Sequence, residues 1–149
     1  MSEATPDAGT LVFERTMPHA PERIWQALTD AALIRQWLME NDFEATVGHR
    51  FTFRAKPVPG WSGVTNCEVL TVEPPRVLAY RWGDGSESGS GLKTIVTWTL
   101  TPVPEGTLVR MEQSGFEPKD EAGFKGMGSG WPHILEGLEQ TAARSAEVP

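Results

Sequence analysis

The sequence has a single cysteine, Cys67, and a single tyrosine, Tyr80. With one cysteine the chain cannot form an intramolecular disulfide, which is typical of proteins in a reducing compartment. The N-terminal segment MSEATPDAGT has neither the basic region nor the apolar region of a secretory signal peptide. We therefore expect a cytoplasmic protein.

Basic residues are also scarce. The chain has 13 Lys and Arg residues against 20 Asp and Glu residues, which gives a formal net charge of −7, and the basic residues form no run. A nucleic-acid-binding protein needs a basic surface to neutralise phosphates, so we expect no nucleic-acid partner. No apolar stretch approaches the length of about 20 residues that crosses a bilayer, so we expect no membrane span.

Bulky apolar side chains, in contrast, are abundant, and six of them are tryptophans. The 149 residues are 39% hydrophobic and 22% charged, an ordinary composition for one folded domain with a substantial core. Residues 1–9 are small and polar, which predicts a flexible N-terminal tail. We expect a single domain at residues 10–146.

The first part of that domain is predicted to form a strand and two short helices. The segment GTLVFERTM alternates with a period of two, which is typical of a strand. HAPERIWQALTD has Pro21 at a helix start and places Ile24, Trp25 and Leu28 on one helical face. AALIRQWL also has its apolar residues at helical spacing, which predicts the second helix.

From Phe43 to Phe116 the hydrophobic period is two. Turn residues separate the alternating segments, which are HRFTFRAK, VTNCEVLTV, RVLAYRW, GLKTIVTWTLT and GTLVRMEQSGF. Short strands at hairpin spacing predict an antiparallel meander with one buried face. The segment GDGSESGSG, at residues 83–91, predicts a flexible hairpin loop.

The segment GMGSGWPHILEGLEQ combines glycines with a helical pattern. Its glycines have the wrong spacing and context for a phosphate-binding loop. Apolar residues continue through them at helical spacing, so we predict one helix at about residues 120–144, loosened between Gly126 and Pro132. Alternatively, Pro132 is the first residue of a shorter helix. The apolar stripe consists of Phe124, Met127, Trp131, Ile134, Leu135, Leu138 and Ala142.

This order of elements predicts an α+β fold in which a curved antiparallel sheet packs around the C-terminal helix. The chain also resembles the START-like (SRPBCC) superfamily. The segments that carry this resemblance are HAPERIWQALTD, IRQWL, VGHRFTFR, EVLTVEPPRVLAYRW, TIVTWTL, GTLVRMEQSGF and GWPHILEGLE. Within it, the chain most resembles the branch homologous to the C-terminal domain of activators of heat-shock protein 90 ATPase. The resemblance covers residues 10–144.

The resemblance implies the helix-grip fold, with six to seven strands around the C-terminal helix and two short helices after the first strand. It also implies that a hydrophobic or amphipathic small molecule binds in a cavity between sheet and helix. Some relatives catalyse cyclisation or hydrolysis, but no recurrent catalytic signature is present in this chain. His49 is one departure, because relatives commonly have a second glycine there.

Large side chains on the expected inner face are the candidate ligand-binding residues. The alternative for each is that it only fills the core. Trp61 is expected either to cover the pocket or to anchor its own loop. Gln113 lies on an apolar face and needs partners from the backbone, water or a ligand. The candidates are Trp25, Phe51, Phe53, Trp61, Tyr80, Trp82, Trp98, Met111, Gln113, Met127 and Trp131.

No spacing of residues predicts a catalytic or metal site. The histidines His19, His49 and His133 form no metal-binding motif, and Cys67 is expected to be a small core residue. We therefore expect no metal and no cofactor, and we favour binding over catalysis.

Three functions remain open at this point. The first is a monomeric module that holds a hydrophobic small molecule or lipid. The second is a co-chaperone-like module whose outer surface contacts a chaperone-type protein partner. The third is a pocket enzyme of the cyclase or hydrolase type, for which Tyr80, Gln113 and His133 are the polar candidates.

Overall fold

The computed structural model describes residues 9–57, 63–83, 93–117 and 120–146, without the side chains of residues 122, 123, 145 and 146. Within these ranges the chain forms seven strands and three helices. In chain order they are β1 (Thr10–Met17), α1 (Pro21–Thr29), α2 (Ala31–Trp37), β2 (Glu40–Asn41), β3 (Arg50–Arg54), β4 (Val64–Glu73), β5 (Val77–Trp82), β6 (Thr94–Val103), β7 (Gly106–Ser114) and α3 (Glu121–Ala146).

The strands form one curved antiparallel sheet in the order β1-β7-β6-β5-β4-β3-β2. From β2 to β7 each strand pairs with the next one along the chain, whereas β1 pairs with β7 at the far edge. Helices α1 and α2 connect β1 to the opposite edge. This arrangement confirms the predicted helix-grip architecture.

Local sequence explains where the two short helices begin. Pro21 occupies the first turn of α1, where its missing N–H removes no helical hydrogen bond. Asp30 ends α1 and caps α2, because its Oδ1 accepts from the backbone N–H of Ala32 at 2.9 Å and of Leu33 at 3.3 Å. Ile24, Ala27, Leu28, Ile34 and Trp37 are the buried residues of the two helices.

The long helix α3 is continuous through Pro132, so the alternative of a helix that begins at Pro132 is wrong. Its predicted stripe faces the protein interior: Trp131, Leu135, Leu138 and Ala142 are buried, and Phe124, Met127 and Ile134 are partly buried against the same core. An ion pair of 2.7 Å between Arg15 Nε and Glu139 Oε1 joins β1 to the C-terminal half of α3.

Two details differ from the sequence predictions. The two-residue strand β2 was not predicted, since two residues are too few to show a period. Strand β6 extends beyond the predicted segment GLKTIVTWTLT, because β6 and β7 pair up to Val103 and Gly106 and leave only Pro104 and Glu105 as the connection. Two other predicted segments lie outside the described residues, namely most of the N-terminal tail and residues 84–91 of the hairpin loop.

Trp98 is fully buried at the centre of β6, as its place in the alternating pattern predicts. We expect Trp98→Ala to lower the free energy of unfolding by about 3–5 kcal/mol, because the removed ring leaves a large cavity. Val47→Ala is the control, since Val47 is 62% exposed, and it should change that free energy by less than about 0.5 kcal/mol. Denaturant titration measures both values, and similar effects of the two changes would contradict the facing of β6.

Candidate functional site

Aromatic rings from the sheet and from α3 meet on the concave face of the sheet. Trp131 lies between two strand residues, with its ring centroid 5.9 Å from that of Trp82 and 5.8 Å from that of Trp98. Phe53 continues the series at 4.9 Å from Trp82. We call this group the ring cluster, and its members are Trp37, Phe43, Phe51, Phe53, Tyr80, Trp82, Trp98 and Trp131.

A chain of hydrogen bonds runs through the ring cluster and explains how a glutamine can be buried there. The indole N–H of Trp131 donates to Gln113 Oε1 at 2.9 Å, and Gln113 Nε2 donates to Thr94 Oγ1 at 3.0 Å. The hydroxyl of Thr94 donates to the carbonyl of Trp82 at 2.8 Å. Gln113 has no exposed surface, so its amide depends on these side chains rather than on water.

Tyr80 is the second polar group of the ring cluster. Its hydroxyl oxygen accepts the indole N–H of Trp98 at 3.0 Å. Burial raises the pKa of Tyr80 well above the ordinary value, although the hydrogen bond from Trp98 acts in the opposite direction. The hydroxyl therefore stays protonated, and within the described residues its hydrogen has no acceptor. Tyr80 can thus donate one further hydrogen bond inside an apolar environment.

The N-terminal half of α3 covers this part of the sheet, and its segment 126–130 contains three glycines. A Cβ added at Gly126 or Gly130 would meet no atom within 4 Å, so packing does not require glycine at either position. Gly137, in the other half, differs because a Cβ there would lie 3.4 Å from Cβ of Trp37. Since glycine lowers helix stability and Pro132 removes a hydrogen bond, we expect the N-terminal half to be the less stable half of α3.

The structure brings most of the candidate residues together in a packed core. Trp25 and Met127 are partly buried at its margin, and Trp61 lies outside the described residues. The buried candidates are Phe51, Phe53, Tyr80, Trp82, Trp98, Met111, Gln113 and Trp131. His133, a polar candidate for a pocket enzyme, is exposed on α3 and does not contribute to the interior.

Three members of this arrangement were not among the sequence candidates. Trp37 stacks edge-on against Trp98 at 5.7 Å, Phe43 contacts Phe51 at 5.1 Å, and Thr94 is the partner of Gln113. The inward position of Thr94 in its strand was the available signal, because a buried glutamine needs a nearby hydroxyl or amide. The described residues include no group of three or more His, Cys, Asp or Glu side chains that could hold a metal.

The opposite, convex face of the sheet contains a groove of 630 Å³. We call it the outer groove. Most of its lining side chains alternate along the strands with those of the ring cluster, so the two sites lie on opposite sides of the sheet. Phe51, a member of the ring cluster, and Cys67 are buried positions that also border the groove. The lining residues are Asp42, Arg50, Phe51, Thr52, Asn66, Cys67, Glu68, Arg81 and Lys93.

Comparison with known proteins agrees with this architecture. The family described as Activator of Hsp90 ATPase homolog 1-like protein matches residues 18–143, which is most of the chain. The chain belongs to this family. Its members share the helix-grip arrangement described above, which confirms the resemblance found in the sequence. A search of functionally curated proteins found no match.

Three solved structures show the range of similarity. Protein MLL2253 from Mesorhizobium loti is 48% identical, with a TM-score of 0.83, over 91% of this chain and 97% of that one. BH1534 from Bacillus halodurans is 25% identical, with a TM-score of 0.72, over 90% and 99%. The Aha1 dimer from Colwellia psychrerythraea shares the fold at 21% identity and a TM-score of 0.74, over 89% and 95%.

The hydrogen bond between Trp131 and Gln113 can be tested by a double-mutant cycle. Gln113→Leu should lower the free energy of unfolding by about 1–3 kcal/mol, because it leaves the indole N–H of Trp131 buried without an acceptor. In a Trp131→Phe background the same change should be less harmful by about 1 kcal/mol or more, since that donor is already absent. Denaturant titration of the four proteins gives the coupling energy, and strictly additive effects would contradict the interaction.

The glycines of α3 allow a test of the stability of its N-terminal half. Gly126→Ala and Gly130→Ala should each stabilise the protein by about 0.5–1 kcal/mol, because the added methyl groups meet open space and the helix gains intrinsic stability. In the unmodified protein, backbone amides at 126–131 should exchange with solvent faster than those at 134–142, and both changes should slow that exchange. Equal exchange in the two halves of α3 would contradict a locally weakened helix.

Proposed function

We propose that this protein binds an apolar or amphipathic small molecule between the sheet and the N-terminal half of α3. The observation that carries the proposal is the hydroxyl of Tyr80, which is 3% exposed and has no acceptor for its hydrogen in the described part of the chain. A buried donor without an acceptor is costly and uncommon in a core that serves packing alone. An oxygen atom of a bound ligand would satisfy it.

The surroundings of Tyr80 favour a ligand that is mostly apolar. Aromatic rings on the sheet and on α3 offer flat apolar surfaces, whereas Gln113 and Tyr80 offer the few polar contacts that orient a ligand. No charged side chain of the described residues belongs to the ring cluster. A charge on the ligand would therefore have to remain near solvent.

Entry of such a ligand requires movement, since the ring cluster is closely packed in this structure. The least stable segment over it is residues 126–132 of α3, for the reasons given above. Displacement of this segment would withdraw Trp131 from Trp82 and Trp98 and open space beside Gln113. The ligand would then stabilise the open conformation to the extent that it binds this conformation more tightly than the closed one.

A protein partner is the second candidate, because the family takes its description from activators of Hsp90 ATPase. The described surface offers such a partner little apolar area, since Val47 and Val64 are its only exposed large hydrophobic residues. The interior site is therefore the better supported proposal. None of the described helices is long and apolar enough to cross a membrane.

The test uses N-phenyl-1-naphthylamine, a neutral aromatic probe that fluoresces in apolar sites. We expect saturable binding with energy transfer from tryptophan, and Met127→Arg should weaken it about tenfold or more because a charge is costly at the entrance. Ser129→Arg is the matched control, since Ser129 lies on the exposed side of the same helix. Binding by the unmodified protein that both variants retain equally would contradict this location.

A second measurement identifies the natural ligand. The freshly purified protein is denatured in organic solvent, and the released compounds are identified by mass spectrometry. The proposal predicts an apolar or amphipathic compound that is present with the unmodified protein and depleted with Met127→Arg. The absence of any such compound, together with no probe binding, would refute the proposed function.

A further inference from the structure

The outer groove is large enough for a metabolite-sized ligand. Its 630 Å³ falls within the range of about 300–1,000 Å³ that is usual for small-molecule sites. The outer side chains of β3, β4 and β5 form most of its lining, and Asp42 and Lys93 complete it from the sides of β2 and β6. It is separate from the interior site, because the sheet itself lies between them.

Positive charge is in excess in the outer groove, although the protein as a whole is acidic. Arg50, Arg81 and Lys93 face two carboxylates, those of Asp42 and Glu68, so the formal charge of the lining is 3 − 2 = +1. The whole chain has a formal charge of −7. Such a local reversal of sign raises the concentration of small anions at this place.

One oxygen of the Asp42 carboxylate is already engaged by the protein. Its Oδ1 accepts the backbone N–H of Thr52 at 2.7 Å and lies 3.4 Å from the hydroxyl of the same residue. These contacts hold the segment after β2 against β3. Asp42 therefore acts as part of the wall of the groove rather than as a partner for its arginines.

Arg50 and Arg81 lie next to the carboxylate of Glu68 in the sheet but form no ion pair with it. Glu68 is the register partner of Arg50 on one side and of Arg81 on the other, so the three residues form a row across β3, β4 and β5. Opposite charges at such positions normally pair. Among the described residues, however, neither arginine has a carboxylate oxygen within 4.0 Å.

Arg110 lies on the same convex face and, in contrast to Arg50 and Arg81, forms ion pairs. Its guanidinium lies 3.0 Å from Glu112 and 3.9 Å from Glu14, which is its register partner on β1. The arginines of the outer groove are thus different from a paired surface arginine on the same sheet. Their guanidinium donors are available to a ligand.

We propose that the outer groove binds a small oxyanion, a carboxylate or a phosphate with more than one negative charge, between Arg50, Arg81 and Lys93. A guanidinium matches the two oxygens of a carboxylate or phosphate with two parallel hydrogen bonds, and an ammonium adds a third contact. Glu68 lies between the two arginines, and its negative charge lowers the affinity of the site for any anion. This proposal does not rest on the proposed function.

The test is a pair of NMR titrations of the full chain, one with pyrophosphate and one with citrate, at constant ionic strength with sodium chloride as the blank. We expect one or both anions to shift the side-chain Nε–H signals of Arg50 and Arg81 in a saturable manner. Saturation by pyrophosphate alone assigns the site to phosphates, and saturation by citrate alone assigns it to carboxylates.

Three variants locate the binding. Arg81→Gln should weaken binding about tenfold, because a charged hydrogen-bonding group is lost. Glu68→Gln should tighten it severalfold, whereas Arg110→Gln, the matched control on the same face, should leave it unchanged. The dispersion of each spectrum reports whether the variant is folded. The proposal is overturned if neither anion saturates, or if Arg110→Gln weakens binding as much as Arg81→Gln.

Discussion

The packing of α3 on the sheet is centred on Trp131. Its ring contacts both Trp82 and Trp98, and its N–H donates to Gln113. Apolar contact alone would tolerate small rotations and shifts of the helix, because dispersion and hydrophobic forces have little directionality. The hydrogen bond removes this freedom, since any other rotation of α3 would leave an indole N–H and an amide oxygen buried without partners. The other contacts of the helix follow from this fixed position.

The two halves of α3 depend on that contact differently. The C-terminal half is also anchored by Leu135, Leu138 and Ala142 and by the ion pair from Arg15 to Glu139. The N-terminal half has three glycines within residues 126–130, of which two have no packing role, and partly buried side chains at 124 and 127. We therefore expect Trp131 to mark the boundary between a firmly packed C-terminal segment of α3 and a less stable N-terminal segment. A ligand-induced change of α3 would begin on the N-terminal side of this boundary.

Much of the fold follows from periodicity in the sequence, since every element except β2 is long enough to show its own pattern. Trp98 and Met111 were placed on the buried face by alternation alone, and the stripe of α3 by helical spacing. The two-residue strand β2 shows the limit, because its pairing depends on β3 and not on its own residues. The resemblance to the family added the helix-grip topology, which periodicity does not determine.

The sites were less predictable, because they depend on contacts between residues far apart in the chain. Gln113 could be recognised as a buried amide that needs partners, but Thr94 and Trp131 lie 19 and 18 residues away. The outer groove was missed entirely. Arg50, Arg81 and Lys93 occupy ordinary outward positions of separate segments, and only the register of β3 to β6 brings them together. Charge that is scattered in sequence gives no signal of its concentration in space.

That register links the two sides of the sheet. Tyr80 and Trp82 point to the ring cluster, while Arg81 between them lines the outer groove. A shift of one residue in the pairing of β5 would exchange these faces, burying a guanidinium among aromatic rings and exposing two rings to water. Both outcomes are strongly unfavourable, so the apolar interior that fixes the register of β5 also fixes the positions of the charges outside. The arrangement of the outer groove therefore follows from the packing of the ring cluster.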